Sequence, residues 1–291
     1  MFYELFTVLA PVVIVAAVGF AWAKAGQPFD NNFVSTFNFN VATPLLIFSS
    51  LTKLHVDLAA VSLVAFAALV AMIGVGIFGT FLLLALRIPL RPYLAPVLNV
   101  NTGNVGLPVC FLAFGDEGLA LAVVVHVVSA LIQFTIGVSM IAGTFSVKDL
   151  IKVPLLYAVA LAFVVSGTGV SVPPWIANAV AMIGQLAIPM MLVGLGVSLV
   201  KLRVTHVQRS TVLALARLGL GFAAAYGAAL LFGFSRVPAG VLILQISMPT
   251  AVFTYLMAAR YNTDPEGVAG VVFVSTLLGF VSMPLVLLLV L

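Results

Sequence analysis

Of 291 residues, 64% are hydrophobic and only 7% are charged, and the mean hydropathy is +1.30. A soluble domain carries about 25% charged residues, so this chain cannot cover itself with a water-facing surface and must sit in a lipid bilayer. The formal charge of +4 is spread over few residues with no basic patch interleaved with aromatics, which excludes a nucleic-acid partner.

The chain opens with MFYELFTVLAPVVIVAAVGFAWAKA, a stretch that resembles a secretory signal in length. Its only charge before the apolar run is Glu4 rather than a basic region, and the run of about 19 residues is long enough to span. It reads as a retained first helix. Apolar stretches of about 20 residues, separated by short polar punctuation, then divide the chain into ten segments. They fall near 5–23, 33–52, 58–86, 93–114, 118–142, 150–167, 174–200, 210–233, 237–259 and 266–290. The third is overlong, which points to tilt or to extension past the bilayer. The fourth contains LNVNTGNVGLP (98–108) and the only cysteine, Cys110, so no intramolecular disulfide can form.

Lysine and arginine in the short loops set orientation. With the N-terminus outside, the cytoplasmic loops hold Lys24, Arg87, Arg91, Lys148, Lys152, Lys201, Arg203, Arg209 and Arg260, against Lys53 and Arg236 outside. Both termini then lie on the non-cytoplasmic side of a plasma or bacterial inner membrane. The halves 1–144 and 145–291 also echo each other: ATPLL (42–46) returns as AIPMM (187–191) at an offset of 145, and EGLA (117–120) as EGVA (266–269) at an offset of 149. Five spans per half is odd, so the second copy enters from the opposite side, an inverted repeat with its substrate site where the halves meet.

The offset of 149 makes ISMPTAVF (246–253) the counterpart of the LNVNTGNV stretch, with Pro249 over Val100 and Thr250 over Asn101. Both stretches break helices: proline removes a donor, and glycine weakens the helix. Irregular backbone at bilayer depth persists only against protein or a watery cavity. The expected break residues are Val100, Gly103, Gly106, Pro108 and Pro249, with Gly103 and Pro108 making the first break.

NTGNVGLP, MPTAVFTYLMAARYNTDPEG and the ten-segment plan resemble the auxin efflux carrier family, across essentially the whole chain. The resemblance implies an all-α protein of ten spans in two inverted five-helix repeats, with broken, crossing segments 4 and 9. It implies a scaffold of segments 1, 2, 6 and 7, a moving core of segments 3–5 and 8–10, and homodimers meeting through the scaffold. Asn101 matches the family asparagine that contacts a substrate carboxylate, Pro249 the second crossover proline, and Val252 an apolar contact. A family glutamine on the fifth helix falls on Ser129, with Gln133 one turn further on the same face, and either can take its role. Two positions depart: Val100 stands where plant members have proline, and Ile47 where they have a substrate-site serine.

Further candidates come from the residues themselves. Asn101, Asn104, Thr250 and Gln245 are either interhelical glue, about 0.6 kcal/mol per hydrogen bond in membranes, or ligand contacts beside the breaks. His126 shares a helix face with Gln133 and either carries a coupled proton or packs. Arg217, inside the eighth segment, either snorkels to the headgroups or lures an anion. Asp116, Glu117, Asp264 and Glu266 sit at segment ends as caps. The function expected is a secondary carrier for a small organic anion, with no cofactor or metal. No GxxxxGK[ST] loop is present for ATP. An intramembrane enzyme is disfavoured because no GxSxG elbow occurs, every aspartate lies at an edge, and His55, His126 and His206 are scattered. A channel or a sensor on a carrier fold is the alternative.

Overall fold

The computed structural model describes residues 2–53, 58–143, 151, 153–202 and 204–291. His55, Lys148, Lys152 and Arg203, and the expected boundary between the halves at 144, lie outside the described residues. Among the described residues every regular element is a helix. Seven helices are long and apolar enough to cross a membrane. These are α1 (Phe2–Lys24), α2 (Asn31–Lys53), α3 (Leu58–Ala85), α5 (Thr102–Ala142), α7 (Pro174–Lys201), α8 (Val207–Leu231) and α11 (Pro265–Val290). Four shorter helices complete the set: α4 (Leu90–Leu98), α6 (Pro154–Thr168), α9 (Arg236–Ile246) and α10 (Val252–Arg260).

The ten expected segments therefore do not appear as ten uniform spans, for identifiable reasons. α4 stops where Asn99 turns extended (φ −78°, ψ 109°), and α9 stops three residues before Pro249, so segments 4 and 9 are each two pieces. The second piece of segment 4 runs on into segment 5 as α5. Its one non-helical residue is Gly115 at φ 65°, ψ −151°, a left-handed φ that glycine adopts without penalty. Three π-type turns interrupt the long helices, at Asn38–Ala42 in α2 and at Thr102–Gly106 and Gln133–Gly137 in α5.

Two packing groups emerge. α1 lies on the second half of α7, and α2 packs on α6 and on the first half of α7. The α1–α7 contact is backbone on backbone: a Cβ on Gly19 would strike the Val193 carbonyl, and one on Gly196 the Ala16 carbonyl. Small residues at such crossings let helices approach in lipid, where no hydrophobic force joins them. In the other group α8 packs on α3, α9 and α11, and α3 packs on α4 and α5. The two broken segments belong to this second group and face the first.

Candidate functional site

The two breaks meet. Val100 and Thr250 oppose each other in an isolated antiparallel bridge. Asn101 N–H donates to the Pro249 carbonyl at 2.8 Å, and Ala251 N–H to the Asn99 carbonyl at 3.0 Å. Thr250 adds its hydroxyl to the Pro96 carbonyl at 2.9 Å and its N–H to Ser275 Oγ at 3.1 Å. Each of these backbone groups would cost several kcal/mol unpaired in hydrocarbon. The breaks thus satisfy each other rather than relying on water. Gly279 of α11 completes the seat, since a Cβ there would press on the Pro249 ring at 3.2 Å.

Beside this crossing lies a cavity of about 400 Å³ between the two packing groups, within the usual size of small-molecule sites. Val100, Asn101, Gly103, Asn104, His126, Ser129, Gln133 and Val252 line it. Asn101 is buried, and its Oδ1 accepts the Asn104 N–H at 3.3 Å, capping the start of α5. Its Nδ2 has no hydrogen-bond partner among the described residues. α5 and α10 both begin at the cavity, so the partial positive charge of two helix N-termini falls there. His126 places Nδ1 2.8 Å from Thr102 Oγ1, and among the described residues it is the one ionisable side chain that lines the cavity. Ser129 and Gln133 both reach the wall, so the alternative between them stays open. Phe134 packs edge-on to Phe253 at 5.1 Å and tilted against Phe39 at 5.5 Å, which makes one wall aromatic.

Several expected site residues lie elsewhere. Gly106, Pro108, Gln245, Pro249, Thr250 and Arg217 do not line the cavity. Thr250 is spent on the crossing itself. Gln245 is fully buried with its amide against Gly106, where a Cβ would collide with it. The first break is not made by Gly103 and Pro108: the chain leaves the helix at Asn99–Asn101, and both later residues lie in continuous helix. Gly103 serves close approach instead, since a Cβ there would stand 3.1 Å from His126 Cε1. Arg217 neither snorkels nor faces the cavity. It is 1% exposed and donates to the carbonyls of Met248 (3.3 Å), Val97 (3.0 Å) and Ile246.

The sequence reading missed the contribution of α2. Asn38, Asn40 and Thr43 line the cavity, while Ile47 is fully buried away from it. Two asparagines in FNFNVATPLL, directly ahead of the repeated proline, were the available signal. Thr102, the partner of His126, was also passed over. A second cavity of about 390 Å³, lined by Ser50, Lys53, Asp116 and Gln185, lies between α2 and α7 on one side and α5 on the other. It abuts the C-terminal end of α2, while the first cavity abuts its N-terminal end.

A profile for membrane transport proteins matches residues 4–149 and 143–287, nearly the whole chain. The chain belongs to this family, the auxin efflux carrier family. Among its relatives is an uncharacterized transporter of Methanothermobacter thermautotrophicus, 29% identical over 295 residues and covering 96% of each chain. Another, from Methanocaldococcus jannaschii, is 26% identical over 186 residues, 60% of each chain. This family member is therefore a multi-pass membrane transport protein, and its relatives are transporters rather than enzymes.

Proposed function

We propose that the protein is a secondary carrier for a small organic monoanion, a carboxylate with an apolar or aromatic body, working by alternating access. Asn101 carries the reading: it is a buried amide on the cavity wall whose NH₂ has no hydrogen-bond partner among the described residues. A free buried donor is costly unless something accepts from it, and a carboxylate oxygen is such an acceptor. The charge of the site supports one negative charge. Each helix N-terminus carries roughly +0.5 elementary charge, so α5 and α10 together offer about +1. The Phe39, Phe134 and Phe253 wall suits an aryl or alkyl tail.

Inverted repeats in ten spans, with α1, α2, α6 and α7 as scaffold, are the architecture that fits this reading. An antiparallel meeting of counterpart segments around Val100 and Thr250 is what a two-fold axis in the membrane plane requires. Two cavities at opposite ends of α2 support an alternating mechanism, with the first one on the lysine- and arginine-rich, cytoplasmic side. The test is a melting-temperature screen of purified protein with benzoate, phenylacetate, indole-3-acetate, malonate and succinate, followed by counterflow in liposomes. Binding to the native state raises the melting temperature. Aromatic monocarboxylates should stabilise and exchange saturably, and dicarboxylates should not. Ohmic current without counterflow would replace the carrier by a channel.

A further inference from the structure

Arg217 stands ten residues into α8, about 15 Å from its start at 1.5 Å per residue. Its guanidinium reaches three carbonyls in three directions: Val97 in the last turn of α4, Ile246 at the end of α9, and Met248 just beyond. One side chain therefore bridges the C-terminal ends of both half-helices. Gly221, one turn further along α8, makes this possible, because a Cβ there would strike the Ile246 carbonyl and stand 3.0 Å from Arg217 Nη2.

Charge explains the arrangement. The C-terminal end of a helix carries roughly −0.5 elementary charge, so the two ends sum to about −1. The hydrogen-bond partners of Arg217 among the described residues are carbonyls, with no carboxylate, so these dipoles are what balances it. In carriers with broken helices, carbonyl ends are where a coupling cation is held.

We propose that Arg217 is a built-in cation of the crossing, a positioning residue that fills the place an exchangeable sodium ion would otherwise take. It holds the ends of α4 and α9 together and neutralises them. The N-terminal ends of α5 and α10 are then left uncompensated for the anion. This deepens the carrier reading, which it rests on for function, but its test needs no substrate.

The experiment is thermal melting of the purified full chain. Wild-type protein should melt at the same temperature in sodium, potassium and choline chloride. Arg217→Gln, which keeps polarity but loses the charge, should melt lower. Guanidinium chloride at about 5–20 mM, far below denaturing strength, should raise that melting temperature saturably by binding the native state. The same addition should leave wild type unchanged. Arg217→Lys keeps the charge and should melt between the two. If Arg217→Gln cannot be isolated folded, the lysine variant takes its place, and guanidinium should not stabilise it, because the ammonium fills the site. A sodium-specific stabilisation of wild type, a glutamine variant as stable as wild type, or equal guanidinium responses in all proteins would overturn the proposal. Failure of every anion in the transport assay would leave these melting results standing, so the two readings fail separately.

Discussion

The two ends of the Asn101 amide differ: Oδ1 caps α5 through the Asn104 N–H, and Nδ2 has no partner among the described residues, which is where the proposed carboxylate would bind. Asn101→Ala should weaken binding of phenylacetate about ten- to hundredfold, since a hydrogen bond to a charged group contributes about 1.5–3 kcal/mol. Loss of the cap should lower stability by about 1 kcal/mol. Titration by melting temperature or calorimetry checks both, and wild-type affinity in the variant would remove Asn101 from the site. His126, the one ionisable side chain on the wall among the described residues, would add a second positive charge to the cavity on protonation. Anion uptake should therefore rise as pH falls, and His126→Gln should flatten that profile in liposomes while preserving a hydrogen bond to Thr102. Asn101 and His126 were legible because polar side chains in an apolar segment stand out. Thr102, Asn38 and Asn40 were less so, because their part depends on α2 and α5 meeting across the cavity. Arg217 was visible but unassignable, since the carbonyls it serves lie 29, 31 and 120 residues away in sequence.

Among the elements, the breaks were the most legible feature, and their exact position the least. Two Asn, two Gly and a Pro within Asn101–Pro108 announced irregular backbone, yet the helix resumes at Thr102 and carries Gly103, Gly106 and Pro108 inside it. The glycines answer to neighbours instead, which no local pattern reveals. Gly106→Ala should cost about 1–3 kcal/mol by driving a methyl group into the buried Gln245 amide. Combining it with Gln245→Ala should cost less than the sum of the single changes, because the two sites are in contact. Strict additivity in melting experiments would place the strain elsewhere. The start of α11 offers a second test. Asp264 caps it by accepting the Gly267 N–H at 3.1 Å, accepts from the Tyr93 hydroxyl, and pairs with Arg209 at 3.3 Å. Burial pushes this carboxyl up, but Tyr93, the Gly267 N–H and Arg209 outweigh it and hold it below its ordinary value. A lowered pKa means the stabilisation is complete above the ordinary carboxylate range and is lost as pH falls through and below it. Asp264→Ala should lower the melting temperature near neutrality, and the gap to wild type should close on acidification. A gap constant down to pH 3 would assign the whole effect to packing.

At the scale of the whole molecule, one packing group of α1, α2, α6 and α7 faces another that holds both breaks. The two cavities lie along that interface at opposite ends of α2. If the groups slide or rock on each other, one cavity must close as the other opens, and reagent access to the two must change in opposite directions. The sequence is well suited to the measurement, because its single cysteine, Cys110, is fully buried. Ser198 lines the first cavity and Ser50 the second, and serine to cysteine changes little volume at either. In oriented vesicles, an impermeant thiol reagent should modify Ser198→Cys from the lysine- and arginine-rich side and Ser50→Cys from the other. Adding a transported anion should speed one reaction and slow the other, since a ligand shifts a two-state equilibrium only through its different affinity for the two states. Labelling of both positions from the same side would overturn the assignment of the two cavities to opposite faces. Labelling rates that rise or fall together would mean that the groups do not exchange access, and the fold would then serve as a channel or a receptor rather than a carrier.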